Sequence, residues 1–370
     1  MLRKKIIAAT AATALLFSIS ESVTAQDAKD STEAPPPLKI SGSVDGYYRY
    51  NFSNGDGGVL GNNNSTSFTS SSNTFQLGMA SVKAEYSTGK VGVVADLGFG
   101  PRAEEFSYAD SKTLQAVKQA YIYYSVSDKL KFTFGKWGTH IGYEVLDPQY
   151  NKNYSMSYMF TNGPFSHTGL KADYSFGGGT GLMVGVANPI DVTAPTDGSA
   201  PKTLLGQLSH VGSSYSIFLN YAGYFGAKNS MPTASSLNQV GLTASATLSD
   251  KFSIGYDGTV QLLKDEVLED TKSWWGSALY LNLTASQHLG FTLRGEYFGD
   301  EKYGIKVSDG NGEGVNIFAA TLSANYKVGN FILIPELRLD NASSDLLYAN
   351  KDGDPTKSTS TFLVAAIFSF

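Results

Sequence analysis

The chain has 370 residues, a formal net charge of −5, 16% charged residues and no cysteine. A charge this small argues against a nucleic-acid-binding surface, and 42% hydrophobic residues argue against a disordered chain. Without cysteine there are no disulfide staples, so the redox compartment cannot be read from thiol chemistry.

Met1, Leu2, Arg3, Lys4 and Lys5 form a basic head, Ile6 to Ile19 an apolar middle, and Val23, Thr24, Ala25 a small-residue cleavage site. Residues 1–25 therefore read as a secretory signal, the apolar run being shorter than the ~18–20 residues of a spanning helix. The acidic, proline-rich stretch from Asp27 to Pro37 follows, and residues 26–37 read as a solvated periplasmic lead-in. Residues 38–370 form one domain.

That domain is rich in aromatics (12% of the chain) and in glycine (39 residues) and holds no helix-length apolar run. Mean hydropathy is slightly negative, so membrane residence has to come from alternation. Leu38, Ile40, Gly42, Val44, Gly46, Tyr48, Tyr50 and Phe52 share one strand face; Lys39, Ser41, Ser43, Asp45, Tyr47, Arg49 and Asn51 share the other. The period returns at Val91 to Phe99 around Asp96, at Leu289 to Glu296 and at Phe331 to Asp340. A soluble sandwich with one wet face would share this pattern, but the connections would not. Short turns at Ser87–Lys90, Ser127–Lys129, Gly177–Gly181, Val211–Ser214, Ser249–Lys251, Ser286–His288 and Val328–Asn330 alternate with long polar loops. The reading is all-β: a transmembrane antiparallel up-and-down β-barrel of about sixteen strands, with periplasmic termini, short periplasmic turns and long extracellular loops.

Phe362, Val364, Phe368 and Phe370 stand at alternate positions of the closing strand, the form of a terminal signal read by the outer-membrane assembly machinery. Aromatics gather near strand ends at Tyr47, Tyr48 and Tyr50, at Tyr121, Tyr123 and Tyr124, at Trp274 and Trp275, and at Tyr297 and Phe298. Rings with a polar edge suit the two membrane interfaces.

Several segments resemble the OmpL-like β-barrel porin family: Gly78 to Val82 with Ala95 to Arg102, Asn153 to Tyr158 with Gly163, Pro164 and Phe165, and Lys272 to Gly276. The resemblance covers the whole mature chain and implies an outer-membrane porin; it supplies no binding residues.

In a wet barrel the charges opposite the lipid face, Asp45, Arg49, Lys83, Glu85, Asp96, Arg294, Glu296, Glu336 and Arg338, are expected to line the pore, or else to pair across strands and hold the wall. The third long connection, Tyr143 to His167, carries too much apolar surface for a solvated tip. Its residues Asp147, Tyr150, Lys152, Tyr154, Tyr158 and Phe160 are expected to fold inward as a constriction, with Asp147 and Lys152 as charges at the eyelet.

No metal site is expected. His140, His167, His210 and His288 have no zinc spacing, and the acidic loops at Asp56, at Asp309 to Glu313 and at Asp352 to Asp354 lack a full calcium pattern. No catalytic residue and no cofactor are read, and the length excludes a plug plus a twenty-two-stranded barrel. The expected function is passive diffusion of small hydrophilic solutes. The expected partners are outer-membrane lipid, the assembly machinery, small polar solutes and, by analogy with general porins, two further copies in a homotrimer; no nucleic acid is expected. The alternatives are a closed structural or adhesive barrel and an outer-membrane hydrolase assembled from distant strands.

Overall fold

The computed structural model describes residues 36–53, 63–196, 200–225, 234–265 and 271–370. The expected signal peptide, the lead-in up to residue 35, and Asp56 lie outside them. Among the described residues sixteen strands close into a barrel. The first eight are β1 (Lys39–Asn51), β2 (Thr74–Thr88), β3 (Val91–Phe99), β4 (Val117–Ser127), β5 (Leu130–Gly138), β6 (Ser166–Gly177), β7 (Thr180–Ala187) and β8 (Thr203–Val211). The second half comprises β9 (Tyr215–Phe225), β10 (Ala234–Thr247), β11 (Phe252–Asp265), β12 (Thr271–Thr284), β13 (Leu289–Gly299), β14 (Asn316–Val328) and β15 (Phe331–Ala342). A small hairpin of β16 (Tyr348–Ala349) and β17 (Pro355–Thr356) sits in the last loop, and β18 (Ser358–Ser369) completes the wall.

Each barrel strand pairs antiparallel with its sequence neighbours, and β1 pairs with β18 in a register that sets Val44 opposite Phe368 and Tyr50 opposite Phe362. Closure leaves no edge, which is the condition for a sheet to stand in lipid with every ladder group paired. All seven expected short turns join strands at one end, and the longer connections between the strand pairs, numbered L1 to L8 in chain order, include L5 and L6, which lie outside the described residues.

The alternation explains which face meets lipid. In β3 Val91, Val93, Ala95, Leu97 and Phe99 are exposed, whereas Gly92, Val94, Asp96 and Gly98 are buried. In β1 Val44 is 50% exposed and its neighbour Asp45 1%. The aromatic clusters, however, divide between the faces. Trp275 and Tyr297 pair on the outside at 5.2 Å, while Trp274 and Phe298 pair on the inside at 5.3 Å and are fully buried. Tyr47 is likewise buried inside. Strand-end position alone therefore overcounts the interface aromatics, because half of these rings meet protein within the barrel.

Leu337, at the middle of β15, faces outward. Leu337→Arg should destabilise the barrel by ~2–4 kcal/mol, measured by reversible urea unfolding in vesicles, whereas the same change in a loop tip should cost far less.

Candidate functional site

Residues 139–165 form the third long connection, L3, which turns into the barrel and packs against the inner wall of β1, β18, β15, β14, β13 and β12. Tyr154 joins Tyr47, Ile332, Ile334, Leu363, Ala365 and Ile367 in one buried cluster. Tyr158 and Met159 join Trp274, Ala278, Tyr280, Phe298, Ile317 and Ala319 in a second. Met156, Phe160 and Phe165 meet Phe68 of L1 (residues 52–73) and Ala103 and Phe106 of L2 (residues 100–116) in a third. Each buried ring contributes roughly 1.5–3 kcal/mol, so the loop is held as a core element is held.

A loop inside a barrel has no ladder for its backbone, and unpaired amides and carbonyls there are costly. The wall charges supply the missing partners. Glu336 accepts from the amides of Tyr154 (2.9 Å) and Ser155 (3.2 Å), and Glu296 accepts from the amide of Tyr158 (2.8 Å). Arg294 donates to the carbonyls of Ser155 (2.8 Å) and Met156 (3.3 Å); Arg338 donates to the same Met156 oxygen at 2.7 Å. The charges then neutralise one another. Arg294 pairs with Glu144 of L3 at 2.5 Å and lies 3.4 Å from Glu296; Arg338 pairs with Asp340 at 2.8 Å and lies 3.4 Å from Glu296.

A fold-back helix, α1 (Pro101–Phe106), adds Arg102, which is fully buried between loops. Its guanidinium donates to the Leu146 carbonyl at 3.2 Å and lies 4.7 Å from the ring centroid of Tyr154. Tyr154 in turn donates its hydroxyl to Asp45. Two glycines make room. A Cβ on Gly78, at the point where the β1–β2 register shifts, would sit 2.6 Å from the Tyr154 hydroxyl, and one on Gly276 would sit 2.4 Å from Cγ of Met159. A short helix, α2 (Tyr158–Asn162), ends the docked stretch; Ser157 caps it by accepting from the Phe160 amide at 3.1 Å.

This placement corrects one expectation. Asp45, Arg49, Arg294, Glu296, Glu336 and Arg338 point inward, but their polar groups end on L1 and L3 in place of an open bore. Arg49, for example, donates to the Ser71 carbonyl of L1 at 2.8 Å. Asp96 is buried against Lys118 (3.1 Å), and Lys118 reaches on to Asp147 of L3 at 2.5 Å. Lys83 and Glu85 pair at 3.0 Å and remain partly exposed inside. Of the loop residues, Tyr154, Tyr158 and Phe160 are buried in the clusters, whereas Tyr150, Asn151 and Lys152 stay accessible in the remaining space. Glu144, Arg102 and Lys118 are the partners that sequence reasoning missed. The acidic partner within an apolar loop and the arginine after Gly100 and Pro101 were the visible signals.

The space left beside L3 forms two cavities. One, of about 170 Å³, lies among His140, Tyr143, Gln207, Phe218 and Thr243; the other, of about 330 Å³, opens toward the short-turn end at Ser41, Lys83, Lys327 and Asn330. They share Lys118, Gln119, Asp147 and Tyr150 as lining. Among the described residues no group of histidine and carboxylate side chains could hold a metal; the tilted rings of His140 and His167 lie 5.4 Å apart without a third ligand.

The family model described as "Putative beta-barrel porin-2, OmpL-like" matches residues 37–370. The chain belongs to this family. As an OmpL-like porin it is a protein of the outer membrane, and solved outer-membrane barrels share its fold. It is similar to the outer-membrane channel DcaP of Acinetobacter baumannii (16% identity, 90% of this chain and 97% of that one, TM-score 0.59). It is similar also to an anion-selective porin from Comamonas acidovorans (11%, 90% and 99%, 0.60) and to the trimer form of OmpT of Vibrio cholerae (12%, 90% and 99%, 0.56). No curated protein matches the chain. The segments that carried the resemblance meet in space: Gly78 and Arg102 touch Tyr154, and Gly276 touches Met159, all of them contacts of L3.

Arg294→Met in this OmpL-like porin leaves Glu144 and Glu296 buried with less compensation and the Ser155 carbonyl without its Arg294 donor, while Met156 keeps Arg338. It should cost ~3–5 kcal/mol in urea unfolding. His140 starts L3, and its Nε2 donates to the Tyr221 carbonyl at 3.0 Å. Burial pushes its pKa down to about 4 from about 6.5. The unfolded chain then binds the extra proton first, so this site's contribution to stability is complete above about pH 6.5 and is lost progressively as pH falls toward 4. Thermal unfolding in detergent should weaken over that window, and His140→Gln should reduce the loss.

Proposed function

We propose that this OmpL-like porin is a non-enzymatic passive diffusion channel for small hydrophilic solutes, narrowed by L3. The observation that carries the reading is that the docked stretch of L3, Tyr154 to Tyr158, is held by one side of the wall and leaves space beside and beneath the loop. One cavity lies across the barrel among β8, β9 and β10, the other beneath L3 toward the short-turn end, and they meet at Lys118, Gln119, Asp147 and Tyr150. In this reading those residues form the eyelet, with the Lys118–Asp147 pair as its charged rim. Lys83 and Glu85 line the path below it, and Tyr154, Tyr158 and Phe160 anchor the loop that narrows it.

The proposal includes export by residues 1–25, a periplasmic lead-in over residues 26–37, and insertion into lipid by the assembly machinery through Phe362, Val364, Phe368 and Phe370. The outward ring of Phe370 and its carbonyl, which accepts from the Gly42 amide at 3.0 Å, suit a signal read at the barrel seam. A homotrimer is the proposed assembly, since the OmpT neighbour has a trimer form. The packing of L1, L2 and L3 around Phe68, Phe106 and Phe165 favours one second reading, a barrel closed by its own loops.

Planar-bilayer recording of the mature chain separates the two. Steady ohmic steps are expected, and deletion of residues 150–160 in a refolded barrel should raise the step size. A folded barrel without steps would leave the closed form, and unchanged steps after the deletion would remove L3 from the eyelet.

A further inference from the structure

The cavity beneath L3 has an uneven charge lining. Four lysines, Lys83, Lys118, Lys152 and Lys327, face two aspartates, Asp96 and Asp147. Both aspartates belong to Lys118, and Lys83 has Glu85. Lys152 and Lys327 remain, with no ion-pair partner among the described residues.

Their placement is built in. Asn325 on β14 donates its side-chain amide to the Lys152 carbonyl at 2.9 Å and so pins the tip of L3 to the wall. Lys327 lies two residues further along the same inward face, so a loop lysine and a wall lysine are held beside one cavity. The ammonium of Lys152 is pushed below the ordinary lysine range by burial and then by the charge of Lys327. Two like charges share a walled space with no ion-pair partner among the described residues, and a mobile anion between them relieves the repulsion. Ser41 and Asn330 line the same space and add polar groups to receive its remaining oxygens.

We infer that the vestibule beneath L3 is a subsite for small oxyanions, the carboxylate or phosphate groups of a solute, held between Lys152 and Lys327. This deepens the porin reading by naming a solute class and rests on it. The step from bulk water into the eyelet is then easier for anions than for cations, because the vestibule replaces part of the anion's hydration with ammonium donors.

Two measurements on the full mature chain test it. In detergent, inorganic phosphate should show saturable ³¹P relaxation enhancement, and a Lys152→Gln, Lys327→Gln double variant should bind it about tenfold more weakly. In planar bilayers under a potassium chloride gradient, the wild-type reversal potential should show anion preference and the double variant should lose it. Phosphate and succinate, added in separate arms from the short-turn side, should reduce chloride current only in the wild type; reduction by one alone would identify which oxyanion the subsite takes. Equal phosphate binding by wild type and variant, or none by either, would overturn the subsite, even with normal conductance. Phosphate binding lost in the variant, in a barrel that never conducts, would keep the subsite and overturn the channel.

Discussion

A polypeptide inside a barrel must find hydrogen-bond partners for its backbone, and in this protein that requirement organises the wall. L3 brings amides and carbonyls from Tyr154 to Tyr158 against strands whose own backbone groups are consumed by the ladder. Only side chains remain to meet them, so carboxylates stand where the loop offers N–H and guanidiniums where it offers C=O. Having been brought into a buried place, these charges must also balance. Glu144, carried in by the loop itself, completes the set around Arg294.

The same requirement explains why the interior is asymmetric. Along β1, β18 and β15 the inner face carries Tyr47, Leu363, Ala365, Ile367, Ile332 and Ile334, a surface fit for a protein core. Along β4 to β6 the inner face carries Lys131, Lys171 and Asp173 and remains partly open. One side of the barrel is thus packed like a domain, and the other holds a smaller cluster around Trp137, Ile141, Met183 and Leu205 with open space beside it.

Much of the architecture was legible in the chain. Alternation in β1, β3, β13 and β15 set Asp45, Arg49, Asp96, Arg294, Glu296, Glu336 and Arg338 opposite the lipid face, and these side chains are buried. The apolar content of Tyr150 to Phe165 was too great for a solvated loop. What alternation cannot say is whether an inward side chain meets water or more protein. Arg294 and Lys83 have the same pattern around them, yet one is sealed and the other is not. The informative signs lay in strands apolar on both faces, such as β18 with Leu363, Ala365 and Ile367, and in inward rings such as Trp274. An inner face without polarity asks for something to cover it.

Tyr154 packs against Tyr47 of β1, Leu363 of β18 and Ile334 of β15, so it bridges the seam where the first strand meets the last. From Phe362 to Phe368 both sides of β18 are apolar, so alternation alone sets its register only weakly there. Once Tyr154 is seated, only one register presents Leu363 and Ala365 to the ring. The loop that fills the barrel therefore also acts as its fastener, tying the final hairpin's alignment to an event that happens inside.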